Sequence, residues 1–432
     1  MHKIKIDENI KFDEKIYSTI LKNGLKVYIY KKEGFKQKIG LFGTRYGSLD
    51  NEFVDINTQK KVKVPDGVAH FLEHKLFEQE GANALDLFSK IGVSSNAYTS
   101  FDQTVFYFET IERFEESMGL LIKLVKTPYF TDKNVQKEQG IIGQEINMYK
   151  DDANYMTYFN MLKAMYINNP VKIDIAGSID SISHITKDVL YTCYNTFYNP
   201  SNMFLIVIGD VDIEDTINLI EENIKMYEKE YDTSKVNDQI VKFIVDEPDS
   251  IKQNQVEEKM DIYMPELCIG YKLNVVKHSE IIKRQVICDM ISEMYFSKLS
   301  QFFKDEYEKG LLNGTINFDS EFSNTFFHVI ISTESIKIDE LKKDILEYME
   351  TLKSKEINEE LFNLAKTKIL GNELLESDNV TIQYRKIIES ILFETSPYEY
   401  LEDLDTLTKE DIKKFLNLLT KEKQVISTVL PK

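Results

Sequence analysis

The sequence predicts an α+β protein made of two halves of similar build. Three observations carry that expectation. At 432 residues the chain is long enough for two domains. Strand-like apolar runs and helix-period apolar stripes follow one another in broadly the same order in both halves, although no convincing internal repeat accompanies that order. Between the halves, residues 226–260 turn polar, through Y-E-K-E-Y-D-T-S-K and D-E-P-D-S-I-K-Q-N-Q, with one proline. That is the composition of a connection. The expected organisation is a first domain over 1–225, a linker over 226–260 and a second domain over 261–432.

Taken in order, Asn23 and Gly24 form a turn and Leu25 to Tyr30 the strand after it. Ile39 to Arg45 is a second strand, ending at Tyr46-Gly47-Ser48. A loop with the basic patch Lys60-Lys61-Val62-Lys63 precedes a helix that begins near Pro65 and Asp66, with Asp66 as candidate N-cap. Asn83 to Ile91 is a short helix closed by Gly92. Ser95 to Ser100 and Thr104 to Glu109 are strands around a turn, and Ile111 to Leu124 and Asp132 to Lys150 are helical by spacing. Met203 to Ile208 is an apolar strand ended by Gly209-Asp210. In the second half, Leu267 to Tyr271 is a strand and Ile281 to Phe302 one long helix. Ile316 to Phe322 and Thr325 to Thr333 are strands, and Ile336 to Leu352 and Asn358 to Ser377 amphipathic helices.

Composition narrows the function. Hydrophobic content of 42% with 29% charged residues is that of a soluble globular protein. No run approaches the ~18 apolar residues of a membrane span. The first residues, M-H-K-I-K-I-D-E-N, lack the apolar stretch of a signal peptide, so a cytoplasmic location is expected. Cys193, Cys268 and Cys288 are far apart and odd in number, which reads as buried free thiols. A net charge of −19 argues against a nucleic-acid partner. It is compatible with basic or unfolded peptide substrates, or simply with a solvated acidic surface. There is no P-loop and no G-x-G-x-x-G, which removes the nucleotide enzymes.

The chemistry concentrates in Val64 to Glu80, V-P-D-G-V-A-H-F-L-E-H-K-L-F-E-Q-E. Val68, Phe71, Leu72, Leu76 and Phe77 make the helix apolar on most sides, which argues for burial. His70 and His74 are four apart, so both imidazoles leave one face a turn apart and can hold one Zn²⁺. Glu73 projects near that face, where it can serve the water a metal activates. Two histidines that merely satisfy local hydrogen bonds are the bland alternative. With six histidines in the chain, and an apolar helix a costly place for three polar groups, the metal site is the stronger reading. A catalytic zinc takes three protein ligands. Glu138 and Glu145 are two helical turns apart and share a face, so Glu145 as third ligand with Glu138 as support is one reading. Two exposed glutamates on an acidic helix is the other.

These residues resemble a known family. G-V-A-H-F-L-E-H-K-L-F-E resembles the inverted-zincin signature of the pitrilysin, insulin-degrading enzyme and mitochondrial processing peptidase family. Asn96-Ala97-Tyr98-Thr99-Ser100 with Thr104 resembles its N-A-x-T-S…T strand. Glu138…Glu145 resembles its helix with two glutamates separated by six residues. Tyr198-Asn199-Pro200-Ser201-Asn202-Met203 through Gly209-Asp210-Val211 resembles its Y-x-P-x-N-M…G-D-V run. Within the family the chain is most similar to a short bacterial branch, single half-clamshells that often occur beside a paralogue lacking the zinc motif.

The resemblance implies two homologous α+β domains, each a mostly antiparallel sheet flanked by helices, the first carrying the zinc site and the second a substrate chamber. It implies one zinc per chain on His70, His74 and Glu145, Glu73 as base, and Glu138 in support. It implies that Asn96 and Ala97 lie on an edge strand that pairs with the backbone of an extended peptide. In one place the chain departs from the pattern. Active members carry an Arg and a Tyr in a stretch like L-R-E-K-x-G-L-A-Y; anchored on Gly310-Leu311, Glu306 stands at the Arg position and Asn313 at the Tyr position. Glu306 reverses the charge. A partner chain is therefore expected to supply those groups, as a heterodimer with a motif-less paralogue or as a homodimer.

The expected activity is zinc-dependent endopeptidase hydrolysis of extended or unfolded peptides within a two-chain chamber. The rival from another class is a non-catalytic peptide-binding or scaffold subunit. His184, His278 and His328 lack paired spacing and are expected to be structural or exposed, and Phe318 to Phe327 to be core.

Overall fold

The computed structural model describes residues 2–9, 12–228, 240–312 and 314–432, with Thr381 described by its backbone alone. The chain forms two compact units that are interleaved along the sequence. The first takes Met1–Ile146, Asp174–Phe243 and Asn379–Ile388, and the second Asn147–Ile173, Ile244–Asp378 and Glu389–Lys432. Of the polar stretch 226–260, residues 229–239 lie outside the described residues, and its end, Gln255–Met260, is a strand.

The first unit is built on a seven-stranded sheet. Its order is Lys5–Asn9, Glu14–Ile20, Lys26–Lys31, Met203–Gly209, Lys38–Thr44, Thr104–Thr110 and Ser94–Thr99. Every pairing is antiparallel except that of Lys26–Lys31 with Met203–Gly209. Met203–Gly209 is the middle strand, and each of its residues is buried. Burial on both faces explains why M-F-L-I-V-I-G shows no alternation. Ser94–Thr99 is the last strand of the sheet, with one edge free of strand pairing among the described residues.

Beneath the sheet, the motif helix Val68–Phe77 and the helix Phe114–Lys126 enter one core with Phe106, Phe108, Leu205 and Val207. The motif helix does not begin with an Asp66 cap. Its N-cap is Gly67, in the left-handed conformation at φ 92°, with no side-chain cap. A Cβ there would lie 2.4 Å from the Ala176 carbonyl oxygen. Only glycine meets both demands. The Asp66 carboxylate instead accepts from the Asn51 side chain at 3.0 Å. The basic patch is the second strand of a small hairpin, Glu52–Val54 with Lys61–Lys63.

The second unit carries a five-stranded sheet ordered Gln255–Met260, Gln424–Pro431, Glu266–Leu273, Phe327–Glu334 and Asn317–Phe322. Its first pair is parallel and the rest antiparallel. The helix Ala153–Met165 packs on this sheet, where Gly270 makes room for Met161; a Cβ at Gly270 would meet the Met161 sulfur at 2.4 Å. The single long helix expected over Ile281 to Phe302 is broken. His278–Ile291 ends in a π-turn, Ser292–Phe296, and a new helix Gln301–Glu308 starts at the Ser300 cap. The π-turn places Met294, Tyr295 and Phe296 in the core, so the apolar pattern runs on past the end of the α-helix. All three cysteines are buried and free. Among the described residues, no helix is long and apolar enough to cross a membrane.

Candidate metal centre

Two elements of the first unit make the site. Val68, Ala69, Phe71, Leu72 and Leu76 are all 3% exposed or less, and they fix the motif helix against the core. That leaves His70 and His74 on the remaining face, ring centroids 4.5 Å apart. The helix Asp132–Lys150 is anchored by buried Val135, Ile142 and Ile146, and it presents Glu138 and Glu145 to the same place. Both glutamates belong to this unit.

The geometry is one that could hold a single metal ion. Glu145 Oε1 lies 3.6 Å from His70 Nε2, and Glu145 Oε2 lies 3.6 Å from His74 Nε2. Across the three residues, one ligand atom from each falls within 4.8 Å of the others. A separation of 3.6 Å is too long for a hydrogen bond. Zinc–ligand bonds of about 2.0–2.1 Å would set two ligand atoms about 3.3–3.4 Å apart on a tetrahedron. The second nitrogens of the imidazoles differ. His74 Nδ1 faces Glu138 Oε1 at 3.2 Å, so its proton belongs on Nδ1 and the Nε2 lone pair is left for a metal. His70 Nδ1 is buried without a hydrogen-bond partner among the described residues. These donors suit zinc, a metal of nitrogen and oxygen ligands.

Glu73 is not among the ligands. It is 7% exposed, and its Oε2 accepts from the Thr99 hydroxyl at 2.6 Å. Burial pushes its carboxyl from 4.5 up to about 7, helped by the Glu145 charge and resisted by Thr99 and His74. Burial, with the His74 charge beside it, pushes His70 down to about 3, so its imidazole is neutral at ordinary pH. For His74 burial works the other way, but the Glu138 hydrogen bond and the charges of Glu73 and Glu145 outweigh it and raise the group. Glu138 is held low, because its bonds to His74 and Lys75 exceed the penalty of burial.

Two residues of the centre had no assigned role in the sequence. Thr99 holds the general-base candidate, and alternation along N-A-Y-T-S would have placed it on one face with Ala97. Lys75 is fully buried and bridges Glu138 Oε2, at 3.3 Å, to Glu78. Nothing in the sequence separates such a lysine from a surface one. Asn96 is exposed on the edge strand, where its side-chain oxygen accepts from the Ala97 amide at 2.9 Å.

Elsewhere, His184 and His278 are exposed. His328 is fully buried between the Tyr166 hydroxyl, 3.0 Å from Nδ1, and Glu321, 3.2 Å from Nε2, as a structural histidine would be. Phe318, Phe326 and Phe327 are core. In the second unit, Glu306 is buried and takes the Lys309 ammonium at 2.8 Å; Lys309 also meets Asp344 at 2.8 Å. Asn313 lies outside the described residues.

The chain matches two family descriptions in succession. Residues 62–178 match insulinase (peptidase family M16), and residues 184–369 match the peptidase M16 inactive domain. It is 37% identical over 434 residues to YmfH, an uncharacterised zinc protease of Bacillus subtilis, covering 99% of this chain and 100% of that one. A crystal structure described as an M16-like peptidase from Alicyclobacillus acidocaldarius superposes with a TM-score of 0.91 at 30% identity, over 97% of this chain and 99% of the other. Pitrilysin shares the fold at 15% identity and a TM-score of 0.74, with this chain covering 47% of its length. Motif helix, two-glutamate helix and the run of the whole chain agree in placing this protein in peptidase family M16, among its half-length members.

Proposed function

We propose that the chain is a zinc-dependent endopeptidase that cleaves extended or unfolded peptides, with Glu73 as general base. The observation that carries this reading is the convergence of His70, His74 and Glu145, with buried Glu73 beside them. His70 and His74 would hold zinc through Nε2 and Glu145 through its carboxylate. Zinc, when bound, polarises the scissile carbonyl and makes water more acidic. Glu73, its carboxyl raised to about 7, accepts the proton of the attacking water and returns it to the leaving amine. Thr99 holds Glu73 Oε2, so Oε1 is the oxygen that carries the proton. Glu138 and Lys75 keep the His74 ring in its ligating orientation. Substrate adds as a strand to Ser94–Thr99, replacing Asn96 as partner of the Ala97 amide.

Glu73→Gln is the test. It should lower peptide cleavage about a hundredfold or more while about one zinc per chain stays bound. Full activity in that variant would refute the mechanism.

A partner chain belongs to the same reading. Glu306 stands where active relatives carry a substrate-binding Arg, and here it is buried against Lys309. The isolated chain should therefore cleave weakly and gain activity on mixing with a motif-less paralogue, or through a second copy of itself. The same charge reversal favours the alternative, a peptide-binding or scaffold subunit without catalysis. Metal content separates the two: no zinc after metal-replete purification would favour the scaffold.

A further inference from the structure

The chain uses arginine sparingly, with four arginines among 53 basic residues. Arg113 pairs with Glu116 at 3.3 Å. Arg284 bonds the Asn274 carbonyl and Glu280. Arg45 is likewise engaged within the chain. Arg385 is different: it is exposed, and its guanidinium has no hydrogen-bond or ion-pair partner among the described residues. Elsewhere lysine fills nearly every cationic surface position, so the one unpaired planar fork merits an account.

Its position supplies one. Residues 379–388, which open the helix Val380–Phe393, belong to the first unit. Tyr384 is 2% exposed, and its ring lies 5.9 Å from that of Tyr107. Tyr107 sits opposite Asn96 in the register of the last two strands and shares a hydrogen bond with it. Asn96 and Tyr98 share one parity on the edge strand, and Arg385 directly follows Tyr384, whose ring meets Tyr107. Burial raises the Tyr98 and Tyr107 hydroxyls, and the nearby Arg385 charge opposes that rise. Thr99, which holds Glu73, is of the opposite parity and faces the metal centre. The edge strand thus has a chemical face and a face overlooked by Arg385. A peptide added beside it sends alternate side chains to each.

We infer that Arg385 is a specificity residue, selecting substrates with an acidic side chain on the face of the edge strand turned away from the metal. The inference deepens the peptidase reading and rests on strand addition at Ser94–Thr99. A free guanidinium beside a tyrosine-lined strip is suited to a carboxylate, which it can grip with two parallel hydrogen bonds. In a chain of net charge −19 this gives acidic peptides a local site on a surface that otherwise repels them.

The test uses the full chain and two labelled, unstructured peptides of about ten Ala, Ser, Gly and Leu residues, carrying either Glu or Lys at two alternate positions. Binding is read by anisotropy and cleavage by mass spectrometry, on the wild type and on Arg385→Glu. The wild type should favour the Glu peptide about tenfold, the size of one charge-assisted hydrogen bond on an open surface. Arg385→Glu should reverse the order, and Arg385→Lys should retain it in weaker form. The same order in wild type and Arg385→Glu, or no discrimination by the wild type, overturns the inference. Preference in binding with no cleavage, by the chain alone or mixed with a motif-less paralogue, would uphold it and sink the hydrolase reading. Cleavage with no charge preference would do the reverse. Failure to bind either peptide, alone or mixed with the paralogue, sinks both.

Discussion

At the scale of the residue, the centre is a set of polar groups placed where burial makes each one sensitive to its neighbours. Glu73 shows the consequence most directly. Its folded-state pKa of about 7 lies above its ordinary 4.5, so the folded protein holds the proton more tightly than the unfolded chain does. The stabilisation that this gives is complete below pH 4.5 and is lost as pH rises through 7. Glu73→Gln has no proton to lose. In chelator-treated protein, urea unfolding at pH 8 should find the variant more stable by up to about 3 kcal/mol, and at pH 4 the difference should vanish. A wild type that is the more stable at pH 8 would mean that Glu73 sits ionised in a favourable site. The residues in this centre divide by how they could be read. His70, Glu73 and His74 are legible from spacing because four residues make one helical turn. Lys75 is not, because its partner Glu138 is remote in sequence and only packing brings the two together.

At the scale of the element, the two helices that carry the site are held by different means. The motif helix starts at a glycine whose conformation and close approach admit no side chain. The two-glutamate helix carries Gly140 and Gly143 between its functional residues, where an added Cβ would meet nothing within 4 Å. Glycine inside a helix costs about 1 kcal/mol relative to alanine. Gly140→Ala and Gly143→Ala should therefore each stabilise the protein by about 1 kcal/mol, whereas Gly67→Ala should destabilise it by about 2 kcal/mol or more, all measured by thermal unfolding. Equal effects at the three positions would contradict the difference in their surroundings. Elements with a clear single period, such as Asp132–Lys150 and Ile338–Ser354, are readable from sequence nearly to their ends. Ala153–Met165 is not, because a helix with apolar and aromatic residues on several sides has no dominant stripe. The π-turn at Ser292–Phe296 is not readable for a related reason: it preserves the apolar pattern while the backbone hydrogen bonding changes.

At the scale of the whole molecule, the candidate metal ligands all belong to one unit although the chain alternates between two. Zinc should therefore act on that unit. At a thousandfold excess of free metal over its Kd, binding adds about 4 kcal/mol to the stability of whatever unit holds it. Hydrogen exchange with and without zinc should show new protection in Val68–Phe77 and in residues 132–146, and little change in the strands Glu266–Leu273 and Phe327–Glu334. Equal protection of both sheets would show that the units share one cooperative transition.

The sequence by itself determined the motif helix, the α+β class and the free buried thiols, and it named the candidate metal ligands, since all of these follow from local spacing and composition. Only the tertiary structure decided that Glu145 meets the two imidazoles, that Met203–Gly209 runs through the middle of the first sheet, and that Tyr384 packs against Tyr107 beside the edge strand. The reason is physical. Periodicity is written into consecutive residues, whereas convergence of distant ones is settled by how whole faces bury one another.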